Sequence, residues 1–129
     1  MKKTTYLISF LLTILLSCTS SKKLREDRAL LKEYAFCSCF GYAVSDTACL
    51  SGKDISLGVY RDISSYGFGV FSVIDSVAKQ YALSIKPSEI PDHDNKKAIM
   101  LNCFMFYHSK QLDSLVKTMD KDFINVKGW

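Results

Sequence analysis

Proline is nearly absent from this 129-residue chain: there are two, Pro87 and Pro91, and they fall in one place. Proline breaks helix interiors, so almost all of the chain is free to be helical. Histidine is equally scarce, with only His93 and His108. No C-x₂-C or H-x₃-H spacing occurs, which removes the usual zinc-ligand patterns. A P-loop, a G-x-S-x-G elbow and an H-E-x-x-H helix are also missing. Gly67-Phe68-Gly69 lacks the third glycine and the preceding strand of a nucleotide fingerprint, and reads as a turn. No basic stripe interleaved with aromatics is present, which argues against nucleic-acid binding. The chain holds no internal repeat and no low-complexity segment.

The N-terminus has the layout of a secretory signal. Met1-Lys2-Lys3 is a short basic start, and YLISFLLTILL (6–16) is an apolar run too short to span a bilayer comfortably. The run ends in Leu15-Leu16-Ser17-Cys18, which resembles a bacterial lipobox, with Cys18 as the acylated first residue after cleavage. An ordinary signal peptide and an uncleaved anchor are the alternatives. The expected organisation is therefore a signal over 1–17, a lipidated polar tether over 18–23 and one domain over 24–129. Several acyl chains give durable anchoring, at about 0.8 kcal/mol per buried methylene. Thr19, rather than an aspartate, is compatible with sorting to the outer membrane. Cleavage before Cys18 leaves 112 residues, enough for one core and too few for two. It also removes two lysines, lowering the net charge from +4 to +2.

Periodicity predicts about five helices. Leu31, Ala35, Cys39 and Tyr42 line one face of a first helix over about 23–44. Asp54 is a plausible N-cap for a second, with Ile55, Val59, Ile63 and Tyr66 as its inward stripe. Val70, Ile74, Val77 and Tyr81 mark a third, with Asp75 and Lys79 pointing away. AIMLNCFMFY (98–107) is apolar nearly all round and reads as a central, buried fourth helix; a strand fits its periodicity too, but its methionines, alanine and leucine suit a helix. Ser109 should cap a fifth helix whose Leu112, Leu115, Val116, Met119 and Phe123 face inward. Between the third and fourth lies SIKPSEIPDHDNKK (84–97), a polar loop with both prolines.

Export sets the cysteine chemistry. After Cys18 four cysteines remain, and an even number in an oxidising compartment favours two disulfides. Cys37 and Cys39 point about 200° apart on a helix and do not readily bridge each other. Two pairings survive, and Cys39–Cys103 with Cys37–Cys49 is preferred because Cys39 lies on the apolar stripe. Cys103 and His108, five apart, point about 140° from each other, so a Cys-His nucleophile is disfavoured. His108 instead ends the fourth helix, with its ring near the last carbonyls. Paired acids such as Glu26-Asp27 and Asp120/Asp122 read as solvated faces. No metal or other cofactor is expected.

LNCFMFYHSKQLDSLVK (101–117) resembles the C-terminal signature of type VI secretion amidase-immunity proteins of the fourth amidase group, matching at His108, Ser109, Lys110, Leu112 and Asp113. LLKEYAFCSCFGYA (30–43) resembles their first helix, with Cys39 at its cysteine, and DISLGVYRDI (54–63) resembles the tyrosine-bearing second helix more weakly. The resemblance implies an all-helical, often homodimeric periplasmic protein without enzymatic activity. It implies that the protein blocks a papain-like peptidoglycan amidase with a loop that enters the cleft. Carried over, that loop is 86–96, with Glu89, Asp92, His93 and Asp94 as contacts. Cys37 and Cys49 depart from the family pattern, and the lipidation signal is unusual for it. Two other readings compete: a structural or assembly lipoprotein of the envelope, and a small hydrolase using Cys103 or His93.

Overall fold

One long helix, α1 (Lys2–Val44), is the spine on which the four later helices pack. The structure, a computed structural model, describes the backbone of residues 2–44 and 54–123 and the side chains of 21–44 and 54–123. Cys49 and Trp129 lie outside the described residues. After α1 come α2 (Ser56–Ile63), α3 (Phe68–Ser84), α4 (Ile99–Tyr107) and α5 (Lys110–Thr118), with 3₁₀ turns at Pro91–His93 and Met119–Asp122. The fold is all-α, as the periodicity predicts. Among the described residues the one extended pairing is an isolated bridge between Tyr66 and Phe123. No helix among the described residues is long and apolar enough to cross a membrane.

The core forms where the stripe of α1 meets α3. Leu31, Tyr34, Ala35 and Cys39 are buried against Val70, Phe71, Ile74, Ala78 and Ala82. Tyr34 meets Phe71 edge-on, ring centroids 5.0 Å apart, a favoured aromatic geometry. Phe106 of α4 stacks on Tyr81 at 4.5 Å. Leu112, Val116 and Met119 close the core from α5 and the turn after it, with Leu115 and Phe123 half-buried beside them. Cys39 and Cys103 are bridged, with their Cα atoms 5.8 Å apart, as the stripe argument requires.

Polar side chains of α1 tie down the remaining segments, and here the sequence reading needs correction. Asp27 is not on a solvated face: it is 3% exposed and accepts the Ser65 N–H at 2.6 Å, fixing the turn between α2 and α3. Asp120 is not free either. Arg28 grips it with a two-nitrogen fork, its Nε at 2.9 Å, and the Tyr66 hydroxyl donates to the same carboxylate. Burial, then the Asp120 charge, pushes the Tyr66 phenol up to about 12. Asp75 turns inward rather than away, accepting from the hydroxyls of Ser38 and Tyr42. That bond is the main reason the Tyr42 phenol is pushed up to about 12.

Two apolar stripes also fall differently. On α2, Ile55, Val59 and Ile63 are exposed, while Leu57 and Tyr60 pack against the core. This eight-residue helix has apolar residues on two faces, and tertiary packing selects one of them. Asp54 starts the element by accepting the Ser56 N–H at 2.8 Å, one position before the cap. On α4 only Cys103 and Phe106 are buried. Met100, Leu101, Phe104 and Met105 are 53–59% exposed. The helix lies on the outside because α1 already occupies the centre, so its second apolar face has no neighbour among the described residues.

Candidate functional site

The loop between α3 and α4 is closed at its neck. Ile85 is buried at one end and Ile99 half-buried at the other, so both ends are anchored in the body. The Ser88 N–H donates to the Lys96 carbonyl at 2.8 Å, joining the two limbs. Inside the neck, the Ile90 N–H donates to the Ser88 hydroxyl oxygen at 3.1 Å, and the Ile90 carbonyl accepts from the His93 N–H at 2.8 Å. Pro91 opens the 3₁₀ turn, where its fixed φ and missing N–H cost nothing. The Lys96 N–H returns to the His93 carbonyl, and Asn95, at φ 62°, supplies the left-handed residue the reversal needs. Asparagine is one of the few side chains that tolerates that region.

Glu89, Ile90, Asp92, His93 and Asp94 are all exposed on this frame. The four polar residues picked from sequence are thus brought together, three carboxylates and one imidazole on one protrusion. Missed in the sequence was Ile90, a large apolar side chain 59% exposed among them. Its signal was its position between the two acids beside Pro91. A loop with its backbone groups bonded internally is already ordered, and little entropy remains to be lost on binding.

The His-Ser-Lys-x-Leu-Asp stretch forms the joint between α4 and α5. His108 ends α4 with its N–H on the Phe104 carbonyl, and its ring packs edge-on against Phe104 and Tyr107. The Ser109 hydroxyl accepts the Leu112 N–H at 3.1 Å, the N-cap expected from sequence. Lys110 sits exposed at the first position of α5, and Leu112 is fully buried. Asp113 meets Lys32 of α1 at 2.6 Å. The bond from Lys32 holds the Asp113 carboxyl below its usual value, and the Lys32 ammonium also lies 4.8 Å from the centroid of the Tyr107 ring. These residues build scaffold rather than reactive surface. Cys103, locked to Cys39, offers no thiolate, so the hydrolase reading loses its nucleophile.

Comparison with known proteins gives one decisive finding. The family model for type VI secretion system amidase immunity proteins, Tai4, matches residues 29–116. The chain belongs to this family. The matched span begins in α1 and ends in α5, so it covers the disulfide, the closed loop and the joint between α4 and α5. No curated protein and no solved structure matches the chain.

Proposed function

We propose that this chain protects its own cell by binding a type VI secreted peptidoglycan amidase in the periplasm and occluding its active site. The match to the amidase immunity family over residues 29–116 carries this reading. The amidase is of the papain-like Cys-His class and belongs to the fourth effector group, and the chain acts by binding alone. The closed 86–96 loop supports the mode of inhibition: Glu89, Asp92, His93 and Asp94 project from a frame that needs no reordering. Charge reversal of the three acids (E89K/D92K/D94K) should weaken amidase binding by about a hundredfold while leaving the thermal melt unchanged. Unchanged affinity would place the contact elsewhere.

Anchoring and assembly complete the proposal. Cys18 carries the lipid, residues 18–23 are the tether, and the outer membrane holds the protein where an incoming toxin arrives. Mass spectrometry of the processed chain checks this, because an unacylated Cys18 contradicts it. Cys37 is half-buried, and its proposed disulfide partner Cys49 lies outside the described residues. The outer face of α4, with Met100, Leu101, Phe104 and Met105 exposed together, supports a homodimer. Sedimentation should then show a dimer that Phe104→Asp converts to monomer.

A further inference from the structure

A cavity of about 260 Å³ opens between α1, α2 and α4, away from the 86–96 loop. Its walls are Phe36, Tyr60, Phe104 and Tyr107, four aromatic rings, together with Glu33 and Cys37. One carboxylate thus stands among aromatic side chains. Glu33 is half-buried and has no lysine or arginine within ion-pair distance among the described residues.

The cations next in sequence to Glu33 and to Tyr60 are committed elsewhere. Lys32 is held by Asp113, and Arg61 donates to the Tyr34 hydroxyl at 2.7 Å. The Tyr107 ring already carries the Lys32 ammonium, which shows that this ring accepts a cation in this fold. Burial is the first cause that pushes the Tyr60 phenol up, and the Glu33 charge and its hydrogen bond with the Tyr60 hydroxyl add to it, so the carboxylate is turned toward the aromatic wall.

We infer that this cavity is a receptor for a single lysine or arginine side chain presented by a partner protein. The volume falls below that of pockets that hold drug-sized ligands, about 300–1,000 Å³, so it fits one side chain. An apolar side chain would cover Glu33 and leave the neutral Tyr60 hydroxyl to replace its water, with no counter-charge, a heavy penalty for a carboxylate. A cationic side chain compensates that loss and gains attraction from the faces of the surrounding rings. Phe104 both lines the cavity and belongs to the exposed apolar face of α4. A protein laid on that face therefore has a basic anchor within reach of the cavity.

The test uses capped single residues and the intact chain. N-acetyl-arginine amide, N-acetyl-lysine amide and the neutral N-acetyl-norleucine amide are titrated while the aromatic NMR signals of Phe36, Tyr60, Phe104 and Tyr107 are followed. The two cationic compounds should shift these signals saturably and bind about tenfold more tightly than norleucine. Glu33→Gln, which keeps the shape of this half-buried side chain, should remove that preference without lowering the melting temperature. Equal binding of norleucine would show an apolar occupant and overturn the inference. Absence of any saturable shift would overturn it as well.

Discussion

Breaking the Cys39–Cys103 bridge is the perturbation whose cost follows most directly from the fold. The two cysteines are 64 residues apart in sequence and join α1 to α4. Cross-linking a loop of that length removes unfolded-state entropy worth about 4 kcal/mol. Small domains are stable by only about 5–15 kcal/mol, so the bridge supplies a large share of the total. In a domain near 100 residues each kcal/mol moves the melting temperature by about 4–8 °C, which puts the expected fall near 20 °C. The assay compares calorimetric melts of oxidised and reduced protein in a Cys37→Ser, Cys49→Ser background, so that only this bridge is reduced. Reduction leaves both sulfurs in the core, whereas Cys39→Ala with Cys103→Ala also opens space at two fully buried positions. The double alanine protein should therefore melt lower still, by a cavity cost. A fall under about 5 °C on complete reduction, with two thiols titrated, would refute the loop-entropy reasoning.

Other consequences are equally specific. Asp27→Ala leaves the Ser65 N–H without its acceptor in a buried turn, and should cost about 1–3 kcal/mol in urea denaturation. Leu112→Ala, at a fully buried position, should cost about 2–5 kcal/mol. A double-mutant cycle across Lys32 and Asp113, whose carboxylate side is 46% exposed, should give a coupling of only about 0.5 kcal/mol. A larger cost for Asp113→Ala than for Leu112→Ala would overturn that ranking. Acid should destabilise the fold. The bonds from Lys32 and Arg28 hold the Asp113 and Asp120 carboxyls below their ordinary values. The unfolded chain then binds protons first: stability is full above the unfolded carboxylate pKa of about 3.9 and is lost as pH falls through the lower native values. Urea midpoints should be flat from neutrality to about pH 5 and decline below pH 4. A decline already complete at pH 5 would point to other groups.

The sequence made some of this legible and hid the rest for physical reasons. The α1 stripe and the Ser109 cap were readable because each depends on local spacing, three or four residues along one helix. The bridge followed from that stripe. Asp27 was misread as solvated, although it lies four residues before Leu31 on the same face, where an acid must be paired if buried. The placement of α4 was not readable. An all-round apolar helix has the same pattern whether its own chain or another protein covers the second face, and Met100 to Met105 show that its own described residues do not. The choice between the two faces of α2 likewise belongs to packing. The 84–97 stretch was legible as a loop from its prolines and acids, but its closed neck depends on Ser88 meeting Lys96, and no local propensity encodes that contact.

The most direct test of the central claim is peptidoglycan cleavage by a fourth-group type VI amidase mixed with increasing amounts of the purified chain. Stoichiometric loss of cleavage, with the chain itself left uncut, is the result this account predicts. Undiminished cleavage at excess chain by every amidase of that group would contradict it.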